Sequence, residues 1–369
     1  MTTSAPLSPA TAPHDAGPDG GSRLILVTGA SGYVGGRLVP KLLDAGHRVR
    51  TTRRDQSKDQ PWWSERVETV TMDVNDADQV RAACEGVDVV YYLVHGMGGK
   101  DFVEKDREAA RIMRDAADEA GVGRIVYLSG LIPPEAPEEE LSDHLSSRLE
   151  VERILSQAQA SVITLRAAVL MGSGSTSFEV IRQISERMPL QTVPTWMDHL
   201  VQPIAIVDAL EALVASADVD SPTRSYDIGG PEQLRYPELL SRYAELAGLT
   251  RPQVDVPLLP TKLVSVLAGR MTDVPAPVVE ALLDSLHHDM VCQEQDFVRD
   301  LLPQGYELMG LDESIRRSLA DPRETEPADP DAADPMGPMP HDPAWAGGGD
   351  QSLFQRAAET ARDVLPGKD

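Results

Sequence analysis

The chain has 369 residues, enough for two domains or for one large α/β unit with an appendage, and its 41 % hydrophobic content excludes a wholly disordered polymer. Its 34 basic and 59 acidic residues leave a net charge of −25, a field that repels a phosphate backbone and argues against nucleic-acid binding. Two cysteines, Cys84 and Cys292, cannot make a cysteine-based zinc site, and the longest apolar run, residues 87–94, is too short to span a bilayer.

Residues 1–22 are rich in Pro, Ala, Thr, Ser and Gly without periodicity and are expected to form a disordered leader. No Lys or Arg precedes Arg23, so the basic start of a secretion signal is missing and a soluble cytoplasmic protein is expected. Residues 23–28 (RLILVT) read as a strand. Tyr33, Val34, Leu38, Leu42 and Leu43 then follow at helical spacing up to Gly46. Further strands are predicted at 47–52, 67–72, 87–94, 124–128 and 162–166, with helices at 76–84, 102–120 and 141–158 between them. This alternation implies right-handed crossovers and a doubly wound parallel α/β sheet over residues 23–170. Beyond it, helical patterns at 177–187, 207–217 and 237–247 predict a smaller, partly helical C-terminal lobe over 171–320. Residues 321–369 are expected to be an acidic tail without a core, with seven prolines between 322 and 343 and helical spacing over 351–365.

The run Thr28-Gly29-Ala30-Ser31-Gly32-Tyr33-Val34-Gly35 lies where a phosphate cradle belongs, after the first strand and opening the first helix. Gly29 permits a tight turn, Gly32 lets a pyrophosphate approach the backbone, and Gly35 lets the helix pack closely. Thr28, Gly29, Ser31, Gly32, Tyr33, Val34 and Gly35 are therefore the candidate cofactor-binding residues. Arg53 and Arg54 end the second strand, and guanidinium forks suit a 2′-phosphate, so NADP(H) is favoured over NAD(H). Asp55 is the acidic alternative that would suit NAD. Asp73 and Val74 lie where an adenine amino group is held, although Asp73 also suits a helix start.

The TGxxGxxG loop, Asp73-Val74, Tyr127-Leu128-Ser129-Gly130 and Leu165-Arg166-Ala167 together resemble the short-chain dehydrogenase/reductase superfamily. The likeness is to its atypical, NmrA-like, NAD(P)H-binding branch, which includes an accessory subunit of respiratory complex I, and it runs from about Leu24 to Ala320. It implies a Rossmann fold and a Ser, a Tyr and a Lys acting on the substrate, the last two spaced YxxxK. Ser129 matches the Ser. The helix that should carry the pair reads His144-Leu145-Ser146-Ser147-Arg148 instead. Spacing of four puts His144 and Arg148 on one helix face, an acid/base candidate beside a cation. Glu152, one turn on, offers Arg148 an ordinary surface ion pair.

His95, at a strand end before a Gly-rich loop, is a further cofactor-side candidate, and Arg166 is either a ligand-orienting residue or half of a structural ion pair. The loop 172–177 reads as an anion site or a helix cap. His287-His288 lacks convergent ligands, so no metal is expected. Residues 342–348 (DPAWAGG) resemble a linker that leads into an additional domain in longer relatives, a domain not expected here. The function these readings imply is NADPH-dependent reduction of a small apolar carbonyl or quinone-like molecule by a monomer or homodimer. The alternatives are a non-catalytic NADP(H)-binding redox sensor or complex-assembly protein and, last, an epimerase or dehydratase of nucleotide sugars.

Overall fold

A computed structural model describes residues 21–55, 60–96, 101–133, 135–257, 259–320, 332–340, 342–343 and 345–346. The predicted helix at 351–365 and most of the predicted leader lie outside the described residues.

Alternation of side chains along each strand builds two cores from one sheet. In β1 (Leu24–Val27), Ile25 and Val27 enter one cluster while Leu24 and Leu26 enter the other. The same division recurs in β4 (Val89–Tyr92), where Val89 and Tyr91 face opposite to Val90 and Tyr92. The other strands of the sheet are β2 (Arg48–Arg53), β3 (Glu68–Thr71), β5 (Arg124–Gly130), β6 (Ser161–Ala167) and β7 (Arg224–Ile228). Their order is β7-β6-β5-β4-β1-β2-β3, parallel throughout. The chain order reverses between β1 and β4, which opens a crevice at the carboxyl ends of those strands.

One face is covered by α1 (Tyr33–Asp44) and α6 (Ile206–Ser216), through Leu38 and Leu42 of the first and Leu210 and Leu213 of the second. The opposite face carries α2 (Ala77–Cys84), α3 (Phe102–Ala120) and α4 (Asp143–Leu155), through Val80, Met113 and Leu155. Helix α1 contains Pro40, which cannot bond the carbonyl of Gly36. That carbonyl is taken at 3.1 Å by the indole N–H of Trp63, itself buried, so α1 continues without an orphaned acceptor.

A third cluster forms the C-terminal lobe. It gathers Phe178 of α5 (Thr176–Arg187), Leu239 and Tyr243 of α7 (Tyr236–Leu246), Ala268 of α8 (Thr261–Met271) and Val279 of α9 (Ala276–Asp284). The predicted boundary at residue 170 does not separate the layers: α6 and β7 lie beyond it, yet belong to the sheet and its cover. Residues 332–346 also differ from a coreless tail. Met336 is fully buried, and Arg317 pairs with Asp334 at 2.6 Å. Among the described residues no helix is long and apolar enough to cross a membrane.

Candidate active site

The Gly-rich turn stands at the head of the crevice. Gly29 adopts φ +69°, a left-handed conformation that only Gly takes without strain, and its carbonyl accepts from the Gly32 amide at 2.9 Å. A Cβ on Gly35 would lie 2.4 Å from that carbonyl oxygen and 2.7 Å from Ala30 Cα, so α1 can lie this close to the turn only with Gly there. The first turn of α1 has no side-chain cap and no acidic residue. Its leading amides and positive dipole end therefore face the crevice with nothing of the helix's own to bind, which suits a pyrophosphate.

Thr28 plays a different part from the one predicted. It is fully buried, its hydroxyl donates to Tyr91 O and accepts from the Leu93 amide, and it ties β1 to β4. Ser31 is exposed and does not line the crevice, whereas Tyr33 and Val34 do. Arg53 closes β2, and Arg54 follows it. Arg54 helps to hold the Asp73 carboxyl below its usual range, after the larger effect of hydrogen bonds from Asn75. The helix start beside Asp73 belongs to Asp76, which caps α2. Val74 packs at the edge of the core behind β3.

Below the Gly turn the crevice widens into a cleft of about 380 Å3. Ser129, His144, Arg148 and His95 line it together with Gly29, Gly32 and Gly35. Helix α4 reaches β5 at short range because Gly130 leaves room: a Cβ there would meet Leu145 Cδ2 at 3.2 Å. Arg148 donates to Leu128 O at 2.8 Å, fixing its guanidinium across the end of β5. Asp106 of α3 accepts from the Gly96 amide and from Ser147 Oγ, tying the segment after His95 to α4. The His95 and His144 rings meet edge to face at 6.2 Å. On the cleft lining, Ser129 Oγ, Arg148 Nε and the Tyr33 hydroxyl are buried without a close hydrogen-bond partner, while the Ser129 and Arg148 side chains both also interact with the Tyr127 hydroxyl.

Burial, with the Arg148 guanidinium adding to it, holds the His144 imidazole down at about 3. His95 keeps an exposed surface in the cleft, but protein crowds it on its other sides. That crowding, then Arg148 and His144, keeps it well below the usual imidazole range. Both rings are therefore neutral at pH 7. A native imidazole that resists protonation costs stability once the unfolded chain takes up its proton. Stability should accordingly fall as pH drops below about 6.5 and level off below the native value. Urea midpoints measured from pH 7 to pH 4 should fall less steeply in His144→Gln than in the parent.

Glu152 does not pair with Arg148. It holds Arg166 at 2.6 Å and accepts from Ser225 Oγ, so Arg166 is half of a structural ion pair and is withdrawn as a ligand-orienting residue. In the loop 172–177, Ser175 caps α5 by accepting from the Phe178 amide and donates its own proton to Leu170 O, the capping role foreseen as one alternative. His287 stacks on Trp196 at 4.6 Å. Among the described residues no group of His, Cys, Asp or Glu could hold a metal.

The strap of residues 332–346 was missed from sequence. Its Asp342 makes a two-pronged pair with Arg37 of α1, at 2.6 and 2.9 Å. Arg37 also donates to the carbonyls of Ser173, Pro335 and Gly337, and its Cζ sits 4.1 Å from the centre of the Tyr33 ring. Beyond this anchor Pro343 and Trp345 form part of the cleft wall, and the Trp345 carbonyl accepts from Gln183. The rest of the cleft wall is mainly apolar, with Leu145, Val180, Ile181, Leu283 and Met290, interrupted by the hydroxyl residues Thr176, Ser177 and Ser285. Met336 and Trp345, large apolar side chains in a Pro- and acid-rich run, were the signals that could have placed the strap here.

Sheet order, Gly turn and bare helix start define a dinucleotide-binding Rossmann domain. Residues 29–193 match a family model described as NAD(P)H-binding. An uncharacterized protein of Mycobacterium tuberculosis is 28 % identical over 233 residues, covering 63 % of this chain but only 24 % of that protein. The chain thus spans about a quarter of the length of this curated relative. The ceramide reductase of Caulobacter vibrioides is 28 % identical over 197 residues, 52 % of this chain and 60 % of the enzyme. Among solved structures, the NADPH-dependent quinone oxidoreductase of Escherichia coli complexed with NADPH superposes with a TM-score of 0.64 at 16 % identity. That superposition covers 79 % of this chain and 98 % of the other, and shows a shared fold.

Proposed function

We propose that the protein is an NADPH-dependent reductase of an apolar carbonyl or quinone-like substrate. The observation that carries this reading is that Ser129 and Arg148, which meet beside the buried Tyr127 hydroxyl, line a mainly apolar cleft below the Gly turn and leave Ser129 Oγ and Arg148 Nε without a close partner there. Buried polar groups are normally fully hydrogen-bonded, and these two have room for a ligand oxygen as a further partner. The dinucleotide would lie with its pyrophosphate on the first turn of α1 and its nicotinamide beside Ser129, and would supply the hydride. Ser129 O–H would then donate to the substrate oxygen, and the Arg148 charge would stabilise the negative charge that develops there. Neutral His144 is a poor proton donor. The proton that completes the alcohol would come from cleft water, the hydroxide so formed being neutralised by the solvent. The names of the ceramide reductase and the quinone oxidoreductase agree with an apolar carbonyl substrate.

Ser129→Ala and Arg148→Met should each lower kcat about 100-fold while NADPH affinity changes little. NADPH oxidation with a panel of apolar ketones and quinones is the assay. Tight NADPH binding without turnover on any of them would favour the second reading, a redox sensor, for which His144 and Arg148 in place of the Tyr and Lys also speak.

The cofactor preference rests on Arg53 and Arg54 at the end of β2. The double variant Arg53→Ala/Arg54→Ala should lose affinity for NADPH by about 10- to 100-fold, as expected for charge-assisted bonds of roughly 1.5–3 kcal/mol, and leave NADH affinity unchanged. An equal loss for both dinucleotides would remove the 2′-phosphate assignment.

A further inference from the structure

A second cavity, of about 110 Å3, lies in the C-terminal lobe against the substrate side of the cleft. Ile184, Met188, Met197, Leu240, Val264 and Met271 are among its walls. Tyr236 and Leu283 line both spaces, so these two side chains are the partition between them. Few polar side chains face the second cavity: Gln191 already donates to Ser185 Oγ and Leu240 O, which leaves Thr192 and the Tyr236 hydroxyl. Protein interiors are filled to crystal-like density, and a dry apolar void suits an apolar guest better than water.

The outer wall of this cavity is α8. Leu267 lines the void and is also 47 % exposed, and Leu263 and Val266 join it on the helix surface at 47 % and 45 %. Their spacing makes one apolar stripe. The far end of the cavity therefore leads to greasy surface and not to a polar shell.

We propose that the second cavity is a subsite for the alkyl tail of a long-chain carbonyl substrate. The reacting end of that substrate sits beside Ser129, and its chain passes Tyr236 and Leu283 toward α8. A rigid ring system would need both partition side chains to leave, whereas a flexible chain needs them only to change rotamer. The inference deepens the reductase reading and rests on it for the position of the carbonyl.

Inert n-alkanamides of 4, 8 and 12 carbons test the subsite without turnover, by calorimetric titration of the full chain saturated with NADP. Affinity should rise about fourfold per added methylene until the cavity is full, the value for burying one CH2. Ala268→Phe fills the void from α8 and should weaken dodecanamide at least tenfold while butanamide is unchanged. Leu267→Trp makes the same test at a half-exposed position that tolerates added volume. Affinity independent of chain length, or dodecanamide binding unaltered in both variants, would overturn the proposal. NADPH oxidation with 2-pentanone and 2-tridecanone tests the chemistry separately. Chain-length-dependent amide binding without turnover would refute the reductase and leave the subsite standing; turnover with no chain-length preference in either assay would do the reverse.

Discussion

Gly35→Ala should abolish dinucleotide binding while the chain still folds. The added methyl would stand 2.4 Å from Gly29 O and 2.7 Å from Ala30 Cα, and both are backbone atoms that cannot rotate aside. Relief requires α1 to back away from the turn, which moves its leading amides off the pyrophosphate position. Shifting several charge-assisted bonds at once costs more than losing one, so a loss of at least 100-fold in affinity is expected. The readout is thermal: NADPH at about 100 times its dissociation constant adds roughly 2.7 kcal/mol to the parent, and this gain should vanish in the variant. An undiminished gain would mean that the cofactor lies elsewhere.

Arg37→Met should be the most destabilising single change at the strap. Arg37 and Asp342 are 2 % and 8 % exposed at their side chains, so removing one leaves the other charged and buried without its partner. Such losses run to about 3–5 kcal/mol. Asp342→Asn should cost only about 1–2 kcal/mol, because Arg37 keeps the carbonyls of Ser173, Pro335 and Gly337 and Asn can still accept a bond. Urea unfolding of the two variants reads the difference. Equal, small losses would mean that the strap contributes little to the fold. Because Arg37 lies on the Tyr33 ring, and Pro343 and Trp345 wall the cleft, the same variant should also weaken ligand binding.

Strong local patterns made the Rossmann half legible. Helix α3 follows its predicted limits because Gly121, at φ +69°, ends it as a left-handed cap. The central strands β1 and β4 were visible because both faces of the sheet are covered there and their sequences, LILV and VVYY, are wholly apolar. Strand β7 was missed for the converse reason. It reads RSYDI, an edge strand whose polar residues are satisfied only by distant partners, Arg224 by Asp296 and Asp300 and the Asp227 carboxylate by the Gln293 amide. Edge position and long-range pairing leave no local period to read.

The site divides in the same way. The Gly turn is a contiguous motif with one mechanical purpose and was readable as such. Arg166 was ambiguous until Glu152 was found beside it, and Thr28 was taken for a ligand-facing residue because position alone does not say which way a hydroxyl turns. The strap was the least legible part. Its composition is that of a linker, and its docking depends on Arg37, some 300 residues earlier in the chain.

The central claim is that the amides opening α1 hold a dinucleotide whose nicotinamide end reaches Ser129. Calorimetric titration of the full chain with NADPH and NADH, run beside Gly35→Ala, tests it most directly. The expected result is one site per chain, tighter for NADPH, and no heat of binding in the variant. Absence of binding by either nucleotide to the parent, or equal binding by parent and variant, would contradict it.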